Sequence, residues 1–243
     1  MIELKEIFEA VKLNLKFDDV PILMKGAITN YTDLCSWKDL EYVTNTPEIS
    51  SVELIDDGGT KIPLHLTNRE VWSSKPHFDH EYVIRMINSN KSLIVHRWED
   101  FNLNVRNICK VLDETFFISS SAHVYCGLGN TSRSFNIHWD KPSNFIFQIE
   151  GETQWKVYSN RITSLERELL DHFTDENLNC VIDDTLYPGD ILYIPSRMLH
   201  VAKPDQRRIS ISFPCTIRLD NEFIVNRNYY NINCGESGEK NVS

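Results

Sequence analysis

The stretch of sequence that decides the fold runs from residue 134 to residue 158 and reads SFNIHWDKPSNFIFQIEGETQWKVY. Its sharpest feature is the pair His138 and Asp140, which stand two positions apart. Residues i and i+2 of a β-strand point to the same face of a sheet. The spacing therefore predicts that one imidazole and one carboxylate project side by side into the same space.

A second stretch supplies a third candidate ligand. Residues 186–200 read LYPGDILYIPSRMLH and end at His200. The Pro-Gly-Asp tripeptide is typical of a turn, and ILYI is typical of a short strand that Pro195 ends. Two histidines and one carboxylate on one face of a metal leave three coordination positions open, which is the facial triad of non-heme Fe(II) oxygenases. We therefore predict a metal site at His138, Asp140 and His200.

The same His-x-Asp spacing occurs a second time, at His77 and Asp79, and His80 follows directly. This copy lies in a polar segment after Pro76 that we interpret as a solvated loop. Its role toward a substrate is left open.

The flanking sequence favours a mainly β fold. From residue 116 onward, short segments rich in aromatic and β-branched residues are bounded by turn residues: FFISSSAHVYCG, SNFIFQI, QWKVY, CVI, DILYI and RISISF. One helix interrupts them, begun by a capping box at Thr163 and Glu166. Toward the N-terminus, residues 2–12 and 36–45 suit helices, and residues 21–28 suit a buried strand. This pattern predicts an antiparallel sandwich or barrel rather than a parallel α/β sheet.

Composition excludes several classes of protein. The chain has 243 residues, 41% of them hydrophobic, and carries a formal net charge of −10. An acidic chain without a Lys/Arg block is a poor general binder of nucleic acid. No apolar run approaches the length of a membrane span, and the charged N-terminus is not a secretory signal. Six scattered cysteines without a CxxC motif indicate reduced thiols, so we expect a cytoplasmic protein.

Together, residues 134–158 and 186–200 resemble the JmjC-type, cupin-like Fe(II)/2-oxoglutarate oxygenases, most closely the ribosomal-oxygenase branch. Phe145, Gln148, Gly151 and Trp155 stand where that family has its Phe, Gln, Gly and Trp after the His-x-Asp pair. The PGDILYIP run before His200 is a second, independent similarity. The resemblance implies a double-stranded β-helix, or jelly roll, with N-terminal and inserted helices.

The resemblance also implies a chemistry. His138, Asp140 and His200 would hold Fe(II), 2-oxoglutarate would chelate two of the open positions, and O2 would take the last. Oxidative decarboxylation would give succinate and CO2, and a substrate C–H bond would be hydroxylated.

One position departs from the family pattern. The branch usually has a Lys or Arg fifteen residues after the first histidine, to pair with the far carboxylate of 2-oxoglutarate, and this chain has Thr153. Alternation on RRISISF places Arg208, Ser210 and Ser212 on one strand face. We therefore predict Arg208 with Ser210 as the substitute anchor, and Lys203 as the second choice. Further candidate cofactor-binding residues follow: Tyr125, Asn144 and Thr153 itself.

These observations favour a hydroxylase that acts on a protein or peptide side chain, or on a small molecule, with a homodimer as a further possibility implied by the family. Two alternatives stay open: a cupin-type metalloenzyme that does not use 2-oxoglutarate, and a non-enzymatic barrel binding module. We expect a single domain over residues 1–243, with a cover (1–115), a barrel core (116–215) and a polar tail (216–243). Because 30 residues follow Phe213, we do not expect the winged-helix region of the ribosomal oxygenases.

Overall fold

A computed structural model describes residues 4–9, 18–45, 52–56, 58–67, 77–129, 135–162, 173 and 175–217 of the chain. The helices in these ranges are α1 (residues 4–9), α2 (Trp37–Asn45), α3 (His80–Asn88) and α4 (Leu103–Phe116). The strands are β1 (Ile22–Met24), β2 (Val52–Ile55), β3 (Lys61–Ile62), β4 (Leu66–Thr67), β5 (His77–Phe78), β6 (Ser92–His96), β7 (Ile118–Ser120), β8 (His123–Gly127), β9 (Ser143–Glu150), β10 (Thr153–Arg161), β11 (Cys180–Leu186), β12 (Ile191–Ile194), β13 (Met198–Pro204) and β14 (Arg208–Ile217).

Two antiparallel sheets make up the barrel. The large sheet has nine strands in the order β1-β12-β9-β14-β8-β6-β2-β3, with β7 paired to β14, and the small sheet has the order β11-β10-β13. From β8 onward the chain repeatedly crosses between the two sheets, which is the winding of a double-stranded β-helix. The predicted fold class is therefore confirmed. The large sheet also includes β2, β3 and β6, which come before residue 115.

The large sheet buries apolar side chains on both of its faces. On one face, alternate residues of its strands pack against α2, α3 and α4; Val124, Phe145 and Ile211 belong to this cluster. On the other face, Ile146 and Leu192 meet Trp155 and Val157 of the small sheet. The space between the two sheets is thus closed by apolar side chains over part of its length, and the remainder holds the candidate site.

Two helices were missed by the sequence analysis. In α3 the Asp79 carboxylate caps the helix by accepting a hydrogen bond from the Tyr82 N–H at 3.0 Å. In α4 the Asn102 side chain accepts hydrogen bonds from the N–H groups of Asn104 and Val105. Both capping residues are types that favour helix N-termini, so the signal was present in the sequence. The interpretation of residues 77–80 as a loop was wrong, because they form β5, the cap of α3 and its first residue.

Other expectations meet different outcomes. Residues 36–45 contain the predicted helix, as α2. The strand expected over residues 21–28 is shorter, and β1 is only half-buried. Residues 163–172, where the capping box predicted a helix, and residues 218–243 lie outside the described residues. The described cysteines form no disulfide, and no described helix is long and apolar enough to cross a bilayer.

Candidate active site

The segment that carries His138 and Asp140 is not a regular strand. His138 forms an isolated bridge with His200, in which each backbone N–H donates to the carbonyl of the other, at 3.0 and 2.9 Å. The N–H of Arg197 donates to the carbonyl of Asp140 at 2.8 Å. The expectation that strand alternation aligns the pair was wrong. Backbone hydrogen bonds to residues 197–200 hold the two residues in place instead.

Three side chains converge at this point. One ligand atom from each of His138, Asp140 and His200 lies within 4.8 Å of the other two. The two imidazole centroids are 4.4 Å apart, and Nε2 of His200 lies 3.6 Å from Oδ2 of Asp140. Within the described ranges, no other group of three His, Cys, Asp or Glu side chains is arranged in this way. The arrangement can present two nitrogens and one carboxylate oxygen to a single ion.

Both imidazole rings are oriented by their own backbone. Nδ1 of His138 lies 2.8 Å from the carbonyl oxygen of Asn136, and Nδ1 of His200 lies 2.8 Å from that of Met198. A carbonyl only accepts hydrogen bonds, so each Nδ1 must carry the proton. The lone pair of each ring therefore sits on Nε2. Such a hydrogen bond from the other ring nitrogen is the usual support of a metal-binding histidine.

The Asp140 carboxylate is oriented by two consecutive hydrogen bonds, from Asn144 to Asp140 and from Ser212 to Asn144. Nδ2 of Asn144 donates to Oδ2 of Asp140 at 2.7 Å, and Oγ of Ser212 donates to Oδ1 of Asn144 at 3.2 Å. Both Asn144 and Ser212 are buried. The structure thus places Asn144, predicted as a cofactor-binding residue, behind a ligand candidate. The sequence placed Ser212 on the right strand face but gave no sign of its partner.

The protonation states of the site suit a metal. Burial, with a smaller contribution from the charge of His200, lowers the pKa of His138 to about 4. Burial alone would raise the pKa of Asp140, but hydrogen bonds and charge interactions with His200, His138 and Asn144 lower it to about 2. At neutral pH His138 is therefore neutral and Asp140 ionised, which are the states that coordinate metals.

A cavity of about 460 Å³ opens beside the three ligand candidates. Its walls also include residues of both sheets: Tyr125 on β8, Trp155 on β10, Ala202 on β13, and Arg208, Ser210 and Ser212 on β14. On β14 the intervening residues Ile209 and Ile211 are fully buried in the apolar cluster on the opposite face. The predicted alternation of this strand is therefore what the structure shows, and it brings Arg208 and Ser210 to the cavity that the triad borders.

Arg208 brings a buried positive charge and Tyr125 a neutral hydroxyl to the cavity, which Lys141 also lines. Arg208 is 2% exposed, and burial lowers its pKa to about 10, which leaves the guanidinium charged at neutral pH. Burial also raises the pKa of Tyr125, so its phenol stays protonated. A buried cation on the cavity wall favours an anionic ligand, since burial strengthens the attraction between charges.

Ser210 is held by an interior amide. Its Oγ donates to Oε1 of Gln148 at 2.9 Å, and Nε2 of Gln148 donates to the carbonyls of Glu150 and Gly151 at 2.9 and 3.2 Å. Gln148 is thus a satisfied core amide. Gly151 has φ +68°, and a Cβ there would lie 1.9 Å from the carbonyl oxygen of Arg207. Only glycine lets the turn between β9 and β10 press this closely against the start of β14.

Thr153 and Lys203 do not border the cavity. Lys203 follows Ala202 on β13 and therefore points to the other face of the small sheet. Thr153 is completely buried and shares its strand face with Trp155. Oγ1 of Thr153 and Nε1 of Trp155 are buried donors that make no hydrogen bond to any described residue. Unpaired buried donors are rare and costly. Because Trp155 borders the cavity, its Nε1 fits a site that receives a ligand with an acceptor oxygen, whereas Thr153 lies outside the cavity.

Comparisons with known proteins agree with this geometry. The JmjC domain family model matches residues 95–222, just over half of the chain. Two relatives are both called bifunctional lysine-specific demethylase and histidyl-hydroxylase NO66. The protein from Brugia malayi is 35% identical over 113 residues, and that from Drosophila melanogaster is 28% identical over 137. The matches cover 44% and 55% of this chain but only 16% and 19% of those proteins.

Solved structures show the same fold. The Escherichia coli ribosomal oxygenase YcfD in complex with cobalt and 2-oxoglutarate superposes with a TM-score of 0.59 at 17% identity, covering 95% of this chain and 57% of that one. Its complex with cobalt and succinic acid gives a TM-score of 0.60 at 18% identity, with the same coverage. The resemblance seen in the sequence is confirmed by the family match over residues 95–222, and the shared fold covers nearly the whole chain.

Proposed function

The chain belongs to the JmjC domain family, and from this we propose that it is an Fe(II)- and 2-oxoglutarate-dependent hydroxylase that acts on a side chain of a protein or peptide. The single observation that carries the proposal is the convergence of His138, Asp140 and His200 beside a cavity that contains Arg208. The triad offers one face of ligands, and Arg208 offers the charge that a dicarboxylic cosubstrate requires.

The three ligand candidates would hold the iron. Nε2 of His138 and of His200 carries a free lone pair because each Nδ1 donates to a carbonyl, and Asn144 orients the Asp140 carboxylate. When bound, iron would supply O2 activation, with O2 as the oxidant and 2-oxoglutarate as the co-substrate that is oxidised to succinate and CO2 while one oxygen atom enters a substrate C–H bond. The protein's own part is to hold the metal and the cosubstrate in position and to supply the charge that the cosubstrate needs.

Arg208 would receive the far carboxylate of 2-oxoglutarate. A buried carboxylate needs a charged partner, and Thr153, at the family's usual cationic position, supplies only a hydroxyl. The close contact of Gly151 with residues 207 and 208 brings the start of β10 to the same end of the barrel as Arg208. The phenol of Tyr125 and the buried Nε1 of Trp155, both on the cavity wall, would then complement the guanidinium of Arg208.

The substrate class rests on the relatives and on charge. The NO66 proteins are named as histidyl-hydroxylases and YcfD as a ribosomal oxygenase, so a protein substrate is the first choice for this chain. A formal net charge of −10 favours a basic or neutral partner over an acidic one. A cytoplasmic location and a homodimer stay predictions.

A second candidate function is favoured by Thr153. If the neutral hydroxyl means that no dicarboxylate binds, the same triad would serve a cupin-type metalloenzyme that acts on a small molecule without 2-oxoglutarate. A barrel without metal affinity would instead be a binding module.

The test is cosubstrate turnover. Purified protein with Fe(II) and ascorbate is given 2-oxoglutarate and O2, and succinate is measured, with and without basic peptides that are then examined by mass spectrometry for one added oxygen atom. We expect the wild type to release succinate, and we expect His138→Ala to lose this activity. A peptide that gains an oxygen atom in the reaction should stimulate the release. Metal binding without any succinate would favour the cupin-type alternative, and the absence of metal binding would favour the binding module.

A further inference from the structure

A buried carboxylate outside the cavity is connected to the metal-binding segments. Asp18 precedes β1, and its side chain is 3% exposed. It borders neither the cavity nor the triad, and the proposed chemistry does not use it. Burying an ionisable carboxylate is unfavourable unless specific partners compensate for the lost water. Its partners therefore indicate what it does.

Asp18 is fixed through all three of its polar groups. Its N–H donates to the hydroxyl of Tyr193 at 2.8 Å, its carbonyl accepts from the guanidinium of Arg161, and its carboxylate accepts from the N–H of Ser196. Nη1 of Arg161 also lies 3.7 Å from Oδ2 of Asp18. The residue itself has φ 68°, a left-handed conformation that aspartate tolerates better than most residues. The carboxylate is thus held in one position and used to hold a backbone amide.

That amide belongs to the turn that leads to His200. Residues 195–197 join β12 to β13, and Arg197 in this turn has φ 59°, which is unfavourable for a side chain of its kind. The turn also contacts the other ligand segment. The N–H of Arg197 donates to the carbonyl of Asp140 at 2.8 Å, and Oγ of Ser196 donates to the carbonyl of Lys141 at 2.8 Å. Together with the His138–His200 bridge, the turn that Asp18 holds therefore sets the Asp140 segment against the strand of His200.

We infer that Asp18 is a positioning residue for the metal triad: through the Ser196 amide it fixes the turn that spaces Asp140 from His200. This inference rests on the metal site of the proposed function. It adds to that site a residue that lies 120 positions before His138 in the sequence. Burial raises the pKa of Asp18 to about 6, opposed by the Ser196 hydrogen bond and the charge of Arg161, which agrees with a carboxylate kept inside for its contacts.

The test is metal affinity rather than turnover. Co(II) is titrated into the apoprotein, the dissociation constant is read from the visible spectrum, and the melting temperature is recorded without metal. We expect Asp18→Ala to weaken Co(II) binding about tenfold, the lower end of the effect of residues that support metal ligands. Asp18→Asn keeps an acceptor oxygen for the Ser196 amide and should stay within about threefold of the wild type.

Asp113 provides the matched control. Its carboxylate accepts hydrogen bonds from the N–H and Oγ of Ser120 at 2.7 Å, joining α4 to β7 away from the cavity. Asp113→Ala should lower the melting temperature without changing the Co(II) dissociation constant. Tyr193→Phe, which removes the acceptor for the Asp18 N–H, provides a milder second variant and should weaken binding about twofold to threefold.

The outcomes are distinct. An unchanged Co(II) affinity in folded Asp18→Ala, or an equal loss in Asp113→Ala, would overturn the inference. If Asp18→Ala does not fold, an unchanged affinity in Tyr193→Phe overturns it. If the wild type itself does not bind Co(II), the proposed function fails and the inference fails with it. If the wild type binds Co(II) and Asp18→Ala binds it equally well, the inference fails but the proposed function does not.

Discussion

The segment at residues 138–140 and strand β14 both supply side chains to the cavity, but they position them by different means. Strand β14 pairs without a break to β8, although its register against β9 shifts between Ile209 and Ser210. It points Arg208, Ser210 and Ser212 toward the cavity and Ile209 and Ile211 toward the apolar cluster. His138 and Asp140 lie on irregular backbone, where a bridge to His200 and a hydrogen bond from Arg197 take the place of a strand ladder.

This difference shows in which segments sequence periodicity predicts the direction of side chains correctly. A strand with one buried face fixes the direction of every side chain along it, so a single correct register places them all. An irregular segment has no such rule, and each of its side chains depends on particular tertiary contacts. Single substitutions on β14 should therefore leave the directions of its other side chains unchanged. In the segment at residues 138–140, removal of any one contact should shift the position of a ligand candidate.

The largest effect is expected at the irregular segment's bridge partner. His200→Ala removes one of three ligands and should weaken Co(II) or Mn(II) binding by more than about 100-fold, beyond the range of residues that only support a ligand. His65→Ala, at an exposed histidine outside the cavity, is the matched control and should bind metal as the wild type does. Titration of the apoprotein measures both. Metal binding retained by His200→Ala would refute the triad.

Substitutions of the adjacent residues Arg208 and Ile209 on β14 should affect 2-oxoglutarate binding and the free energy of unfolding separately. Arg208→Ala removes the cation proposed to bind 2-oxoglutarate and should weaken its binding to the Mn(II)-loaded protein about 10- to 100-fold, the range for a hydrogen-bonded charged group. Ile209→Ala empties part of the apolar cluster instead and should destabilise the fold by about 2–5 kcal/mol.

Calorimetry and urea unfolding distinguish the two results. The alternation would be contradicted if Ile209→Ala lost 2-oxoglutarate binding in folded protein, or if Arg208→Ala kept it. In the second case another group on the cavity wall, such as Lys141 or Tyr125, would have to bind the carboxylate.

A smaller effect is expected behind the Asp140 carboxylate. Asn144→Ala removes the hydrogen bond to Oδ2 and should weaken Co(II) binding about tenfold, because the carboxylate gains rotational freedom. Asn179→Ala, at an exposed asparagine that bonds Oγ of Ser159, should change nothing at the metal. Equal affinities of Asn144→Ala and the wild type would mean that the irregular segment holds Asp140 through its backbone alone.

The sequence predicted the three converging residues and the β14 face correctly, but one of these results came from a mistaken premise. His138 and Asp140 were expected on a strand, and they converge because of contacts with residues 197–200, far along the chain. Alternation on β14 was reliable because Ile209, Ile211 and Phe213 provide a continuous apolar face that can point only one way.

Other features could not be deduced from one sequence. Asn144 has the same chemistry whether it binds a cosubstrate or supports Asp140, and only its 2.7 Å contact decides between them. Asp18 carries no local signal, since its partners Ser196 and Tyr193 lie more than 170 residues away. Helices α3 and α4, by contrast, had readable caps at Asp79 and Asn102 that were overlooked.

The two imidazole rings at the cavity are fastened to carbonyls two residues earlier in their own chain, at Asn136 and Met198. A ring tethered in this way keeps its orientation before any ion arrives, so little rotational entropy remains to be lost on coordination. The two rings therefore have the same orientation whether iron, cobalt or manganese binds. Selection among these ions would then depend on their availability and on the ligand set of two imidazoles and one carboxylate, rather than on a rearrangement of the rings.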